Sequence, residues 1–111
     1  MSLNSIKSKT DIIKNALLTV GVPVSHYTAY QQEDKYLVWA EEGQTDALWA
    51  DGNMDEQTIE GTLDYFTKSE NDTNIDKIQN ALNEAEISFI LISVQREDDT
   101  GYIHYEWAWE V

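Results

Sequence analysis

The stretch ISFILISVQREDDTGYIHYEWAWEV, Ile87 to Val111, decides the fold that this sequence predicts. Both of its ends are rich in β-branched and aromatic residues, which favour strands. Between them, EDDTG at 97–101 supplies turn-forming residues that end in glycine. The stretch therefore predicts an antiparallel hairpin with strands over 87–96 and 102–110.

The second strand of this hairpin has two different faces. Successive side chains of a strand point to opposite sides, so the odd-numbered residues share one face. That face is apolar and aromatic throughout: Ile103, Tyr105, Trp107, Trp109 and Val111. We expect it to pack on helices, with Trp107 in the core. Trp109 and Val111, at the end of the strand, either complete this core or reach into a neighbouring subunit.

Two segments upstream have apolar residues at helical spacing. The first runs over 9–20 and stops before Gly21 and Pro23, which end helices. The second begins at Thr73, which with Asp76 forms a variant of the capping box. Its apolar stripe comprises Ile75, Ile78, Ala81, Leu82 and Ala85.

Strand-like segments fill the region between the two predicted helices. We expect a strand over 24–30, a returning strand over 36–40 that buries Trp39, a weaker strand over 45–50, and a half-buried strand over 57–68. Gly61 in the last of these indicates a bulge or a close approach of backbone. The order α-β-β-(β)-β-α-β-β predicts one α+β domain over 1–111, with two helices packed on one face of a mainly antiparallel β-sheet.

The charge of the chain restricts its partners. The net charge is −14, and the acidic side chains are unevenly placed. Residues 1–30 carry three lysines and one aspartate, whereas residues 31–111 carry four basic and twenty acidic side chains. Such a field repels phosphate, so we expect no direct nucleic-acid binding and no membrane association. The first residues also lack the apolar core of a secretory signal.

Catalytic and metal-binding patterns are weak in this sequence. Asp51-x-Asn53-x-Asp55 and Asp72-x-Asn74-x-Asp76 both begin like calcium loops, but neither has the glycine and final glutamate that such a loop needs. The chain has no cysteine, and its two histidines lack ligand spacing. No motif for a nucleophile or a phosphate site is present. We therefore expect neither an enzyme nor a cofactor or metal site.

A resemblance to a known family covers about two thirds of the chain, from Tyr36 to Val111. The segments that carry it are YLVWAEEGQTDALWADG (36–52), QTIEGTLDYFTK (57–68), NIDKIQNALNEAEI (74–87) and TGYIHYEWAWEV (100–111). Together they resemble minor tail proteins of long-tailed bacteriophages and prophages, of the tail-completion or tail-terminator type. The N-terminal helix fits that family in kind but not in its residues.

The resemblance implies a non-catalytic adaptor at the head-proximal end of the tail. Such a protein assembles with itself as a ring, a hexamer when assembled, and meets the tail tube and the head–tail connector. Its location would be the virion tail, or the bacterial cytoplasm during assembly. On this reading the candidate inter-subunit or lumen surface comprises Trp49, Asp51, Asp55, Glu56, Glu97, Asp98 and Asp99.

Two alternatives remain open at the level of sequence. The acidic loops can equally be solvated turns that face no partner. The net charge also suits an acidic DNA mimic, which would inhibit a host DNA-binding enzyme by presenting carboxylates in place of phosphates.

Overall fold

The computed structural model describes residues 6–29, 33–44 and 58–111. Two helices pack on one face of a five-stranded sheet, as the sequence predicts for an α+β fold. Along the chain the elements are α1 (Ile6–Leu18), β1 (Val24–His26), β2 (Lys35–Gln44), β3 (Ile59–Thr67), α2 (Asn74–Glu84), β4 (Ser88–Arg96) and β5 (Ile103–Glu110). The strand order in the sheet is β1-β2-β3-β5-β4, so β5 lies between β3 and β4. The weaker strand expected over 45–50 falls outside the described residues.

The first strand differs from the sequence prediction in its direction. The turn residues near 31–34 suggested that β2 returns antiparallel to β1, and that interpretation is wrong. The two strands are parallel, with Val24 beside Leu37 and His26 beside Trp39. Parallel pairing requires the chain to travel back along the sheet between the two strands. Because the chain turns back at Tyr27, whose φ is 70°, β1 is only three residues long.

The central strand β3 has the alternation that the sequence predicts. Its odd-numbered residues from Ile59 to Thr67 are buried and its even-numbered residues are more exposed. Gly61 is the close backbone approach expected there, because a Cβ at this position would collide with the carbonyl oxygen of Ala40 and with the indole of Trp109. The indole lies across the glycine and donates a hydrogen bond of 2.8 Å from Nε1 to the carbonyl oxygen of Thr62.

The odd-numbered face of β5 packs on the helices, which confirms the prediction from its alternation. Trp107 and Trp109 are fully buried in the core with Ile13 and Leu17 of α1 and with Leu82 of α2. Trp107 also donates from Nε1 to Oε1 of Gln79 on α2, at 3.1 Å. Val111 packs against the same core. Trp109 and Val111 therefore complete the core of their own chain.

A buried carboxylate fixes the start of α2. Asp72 accepts hydrogen bonds from Thr67 Oγ1 at 2.6 Å, from the Tyr65 hydroxyl at 2.7 Å and from the backbone N–H of Asn74 at 2.8 Å. The prediction that Thr73 caps this helix is wrong, because the Thr73 side chain makes no capping hydrogen bond. Asp72 takes that role because its carboxylate can bind β3 and the first turn of α2 together.

Candidate interaction surface at the edge of the sheet

The outer edge of β4 ends the sheet on one side. Its inner edge pairs antiparallel with β5 from Ser88–Glu110 to Arg96–Ile103. No strand among the described residues pairs with its outer edge. Within the described ranges, the backbone N–H and C=O groups along that outer edge have no strand partner, and an edge of this kind can pair with a strand from another chain.

The side chains of β4 are as open as its backbone. The exposed fractions are 66% for Ile90, 54% for Ile92, 51% for Val94 and 41% for Leu91. The pairing with β5 shifts between Leu91 and Ser93, so Ile92 is the extra residue of a bulge. Apolar side chains are consequently exposed on both faces of one strand. We call β4 with these four side chains the β4 edge.

Apart from its bulge, the β4 edge has little of the usual protection against self-pairing. Soluble proteins commonly place charged residues or proline on a free edge strand. The strand SFILISVQR carries one charge, on Arg96 at its end, and no acidic residue. On a chain of net charge −14, this aliphatic edge strand without acidic residues is the candidate interaction surface.

A groove adjoins the β4 edge on the sheet face that the helices leave uncovered. Its volume is about 340 Å³. Ile90, Ile92 and Ala108 give it an apolar floor, and Glu42, Glu60 and Glu110 surround that floor with carboxylates. The arrangement suits a segment that combines apolar and basic side chains.

Like charges lie opposite each other on this open face. Glu60 pairs with Glu110, and Asp64 pairs with Glu106, across the β3–β5 ladder. Like charges in directly opposed positions destabilise a sheet. The repulsion at Asp64 is partly relieved by His104, whose Nε2 lies 2.7 Å from Asp64 Oδ1. The face therefore concentrates negative potential at a cost in stability.

A stack of rings covers the opposite end of the open face. The Phe66 ring stacks on Tyr36 with centroids 4.6 Å apart and on His104 with centroids 4.3 Å apart. Tyr102 meets both Tyr36 and Phe66 edge-on and donates a hydrogen bond of 2.5 Å to the carbonyl oxygen of Glu33. These contacts hold His104 beside Asp64 and Tyr102 beside the loop before β2.

A second polar cluster closes the β1 edge of the sheet. Glu41 accepts a hydrogen bond from the Tyr27 hydroxyl at 2.5 Å and lies 2.6 Å from Nε2 of His26. Burial alone would raise the pKa of Glu41, but the hydrogen bonds from Tyr27 and His26 outweigh it and lower the pKa. The His26 ring stacks between Tyr27 and Trp39, with centroids 3.9 Å from each. The cluster fastens β1 to β2.

The structure does not gather the predicted surface residues into one described site. Trp49, Asp51, Asp55 and Glu56 lie outside the described residues. The other three predicted residues, Glu97, Asp98 and Asp99, are in the β4–β5 turn.

Within that turn the three acids differ. Glu97 is half-buried, accepts a hydrogen bond from Thr100 Oγ1 at 3.1 Å, and has Oε2 4.0 Å from Nδ1 of His104. Asp98 and Asp99 are exposed. The groove lies at the other end of β4, about 25 Å away at the rise of a strand.

The sequence reasoning missed the β4 edge and the pairing of His104 with Asp64. The sequence does contain a signal for the β4 edge. In FILIS, apolar and polar residues do not alternate, which is the pattern of a strand buried on both faces. In this fold that strand lies at the edge, so its continuous apolar run is exposed. The pairing of His104 with Asp64 depends on the register of β3 against β5, which a single sequence does not reveal.

The described part of the chain contains neither a metal-ligand cluster nor a membrane-spanning helix. Over 6–29, 33–44 and 58–111, no three acidic or histidine side chains converge as a metal site would require. Neither α1 nor α2 is long and apolar enough to cross a membrane. No protein-family model matches the chain, and no curated protein matches it.

Proposed function

We propose that this protein is a non-catalytic structural adaptor of a bacteriophage or prophage tail, of the tail-completion or terminator type. It would work as a homo-oligomeric ring at the head-proximal end of the tail, between the tail tube and the head–tail connector. The observation that carries the proposal is the β4 edge, a free and aliphatic strand without acidic residues on a strongly acidic domain. The resemblance of residues 36–111 to minor tail proteins is the reason for proposing a ring in a phage tail.

An assembly subunit needs surfaces that become stable only when a neighbour covers them. A ring requires heterologous contacts, in which one surface of a subunit meets a different surface of the next. The β4 edge supplies one such surface, since four exposed aliphatic side chains and an open backbone edge lie together there. At the opposite edge of the sheet, the three residues of β1 pair with Leu37, Val38 and Trp39 of β2.

The acidic open face supports the same proposal. A channel for DNA must let the phosphate backbone slide without binding it, and carboxylates repel phosphate. The pairs Glu60–Glu110 and Asp64–Glu106 put this charge on one face of the sheet in spite of the local repulsion. Glu97, Asp98 and Asp99 in the hairpin turn remain candidates for the lumen or for the contact between subunits. The protein would then reside in the virion tail, and in the bacterial cytoplasm before assembly.

The test is a deletion in the phage or prophage that encodes the chain. Electron microscopy of the induced particles should show tails that are unterminated or detached from heads, and the wild-type gene supplied in trans should restore them. An Ile90→Lys copy supplied in trans should restore fewer intact particles than a Leu18→Lys copy. Both side chains are exposed, but only Ile90 belongs to the β4 edge. Normal virions from the deletion would refute the proposal.

The carboxylate pairs of the open face favour one second candidate, an acidic DNA mimic that inhibits a host DNA-binding enzyme. Such a mimic presents negative charge in place of phosphates, and the opposed pairs are a costly way to concentrate that charge. The test is cleavage of plasmid DNA by restriction enzymes of the host with increasing amounts of this protein. Inhibition that is lost in the double variant Glu60→Gln, Asp64→Asn would favour the DNA mimic. Cleavage that this protein does not inhibit would exclude the DNA mimic for those enzymes.

A further inference from the structure

We infer that two copies of this chain pair through the β4 edge, antiparallel, about a two-fold axis between Leu91 and Ile92. The two five-stranded sheets then join into one sheet of ten strands. The inference concerns the free protein in solution, before the β4 edge meets a different surface in a ring, and it does not depend on a role in a phage tail.

The bulge in β4 restricts the antiparallel registers that two copies can adopt. From the pairing with β5, Ile90 and Ser93 lie on the open face, whereas Phe89 and Val94 lie on the helix-covered face. A two-fold axis between Leu91 and Ile92 places Ile90 opposite Ser93 of the second copy and Phe89 opposite Val94 of the second copy. Each residue thus meets one from its own face. Moving either strand by one residue would oppose residues from different faces. Moving it by two residues would match the faces again but would place Ile92 opposite Ser93, whereas the axis between Leu91 and Ile92 places these two aliphatic residues opposite each other.

Electrostatics identify β4 as the strand at which two acidic copies can meet. The other long strands of the described chain, β2, β3 and β5, each carry two acidic residues, and β4 carries none. In the ten-stranded sheet the two β5 strands are three strand spacings apart, about 14 Å. That separation exceeds the screening length of about 8 Å at physiological salt. Repulsion between Glu106 and Glu110 of the two copies is therefore largely screened there, but acts at low salt.

The size of the contact predicts a weak dimer. The exposed fractions of the four aliphatic side chains together equal about two fully exposed side chains per copy. Burial of that surface and pairing of one strand edge place the contact at the small end of specific interfaces, below about 1,200 Å² in total. We expect a dissociation constant on the order of 10⁻⁴ M at physiological salt.

Sedimentation equilibrium of the full chain tests the inference directly. The dimer should form more tightly as sodium chloride rises from about 0.02 M to about 0.5 M, on the order of tenfold, because screening reduces the repulsion. Association driven by attraction between opposite charges would instead weaken as the salt concentration rises. Ile90→Lys should weaken the dimer at least about tenfold at high salt. Leu18→Lys, at an exposed apolar position on α1, should leave the dissociation constant unchanged.

Disulfide trapping tests the register, in a chain that has no cysteine of its own. An equimolar mixture of the single variants Ile90→Cys and Ser93→Cys should give the covalent heterodimer under mild oxidation. The mixture of Ile90→Cys with Gln95→Cys is the matched control, because Gln95 shares the open face but lies two residues out of register. Circular dichroism of each variant confirms that it is folded.

Three results would overturn the inference. The first is a monomer at all salt concentrations up to millimolar protein. The second is a dimer that Ile90→Lys and Leu18→Lys weaken equally. The third is association that depends on Ile90 but gives no more cross-linking between positions 90 and 93 than between 90 and 95, which would assign the β4 edge to a heterologous contact instead. Each outcome can be separated from failure of the tail role, which the deletion experiment reports.

Discussion

Replacing Asp72 by asparagine should destabilise this protein more than any other loss of a single charge described above. The Asp72 side chain is 1% exposed and lies 3.6 Å from the ammonium group of Lys35. Its Oδ2 accepts from both Tyr65 and Thr67. Asparagine has the same shape but presents an NH₂ group in place of one oxygen. Either the two hydroxyls then face a donor, or the backbone N–H of Asn74 loses its acceptor.

The magnitude follows from the bonds that change. Hydrogen bonds to a charged group contribute about 1.5–3 kcal/mol each, and an unsatisfied buried donor costs about 1–3 kcal/mol. Rotation of the hydroxyls recovers part of this loss. We therefore expect Asp72→Asn to lower the free energy of unfolding by about 2–3 kcal/mol at pH 7, as measured by urea denaturation. Asp98→Asn in the exposed turn is the control, with an expected change below about 0.5 kcal/mol.

The pH dependence gives a second, independent readout. Burial would raise the pKa of Asp72, but the hydrogen bonds from Thr67, Asn74 and Tyr65 and the charge of Lys35 together lower the pKa below its ordinary value of 3.8. A pKa that is lower in the folded state stabilises the fold above the unfolded pKa, and this stabilisation is lost as the pH falls through the folded value.

The difference in the free energy of unfolding between wild type and Asp72→Asn should thus be largest at pH 7 and should shrink as the pH falls below about 4. Two results would refute this reasoning. One is a difference at pH 7 no larger than that of Asp98→Asn. The other is a difference that stays constant down to the pH at which the wild type unfolds.

Three further predictions concern other parts of the core. Gly61→Ala should lower the free energy of unfolding by about 3 kcal/mol or more, seen as a lower thermal midpoint, because the new methyl group collides with Trp109 and the β2 backbone; an unchanged midpoint would contradict the packing described here. Truncation after Tyr105 removes Trp107 and Trp109 from the core and should abolish the folded far-ultraviolet circular dichroism spectrum, so a folded product would contradict their role. Burial and the neighbouring Asp72 raise the pKa of Tyr65 to about 12. The raised pKa stabilises the fold below pH 10, and this contribution is lost as the pH rises through about 12. Absorbance of tyrosinate near pH 12 should therefore lose amplitude in Tyr65→Phe.

The elements with strong periodicity could be predicted from the sequence. The alternation in β3 and β5 and the apolar stripes of α1 and α2 each bury one face, and one buried face is what periodicity reports. The α+β class and the C-terminal hairpin follow from them. The close approach at Gly61 could be anticipated because glycine inside an alternating strand has few other uses.

The predictions that failed depend on long-range pairing. The direction of β1 relative to β2 is decided where the chain turns back at Tyr27, and local turn residues do not encode the direction of pairing. The cap at Asp72 required knowledge that Tyr65 and Thr67 point at the start of α2. For the candidate surface, the apolar run of β4 was visible, but its exposure follows from the position of β4 in the sheet, which the sequence pattern leaves open.

The position of β5 between β3 and β4 has a consequence for synthesis in the cell. Of the described elements β5 leaves the ribosome last, yet it joins the two parts of the sheet and carries two of the largest core side chains. Until it emerges, β3 lacks one neighbour, β4 has none among the described strands, and the core around α2 lacks Trp107 and Trp109. The described part of the nascent chain therefore cannot fold cooperatively until β5 has emerged. Until then FILIS stays exposed to chaperones that bind extended aliphatic segments.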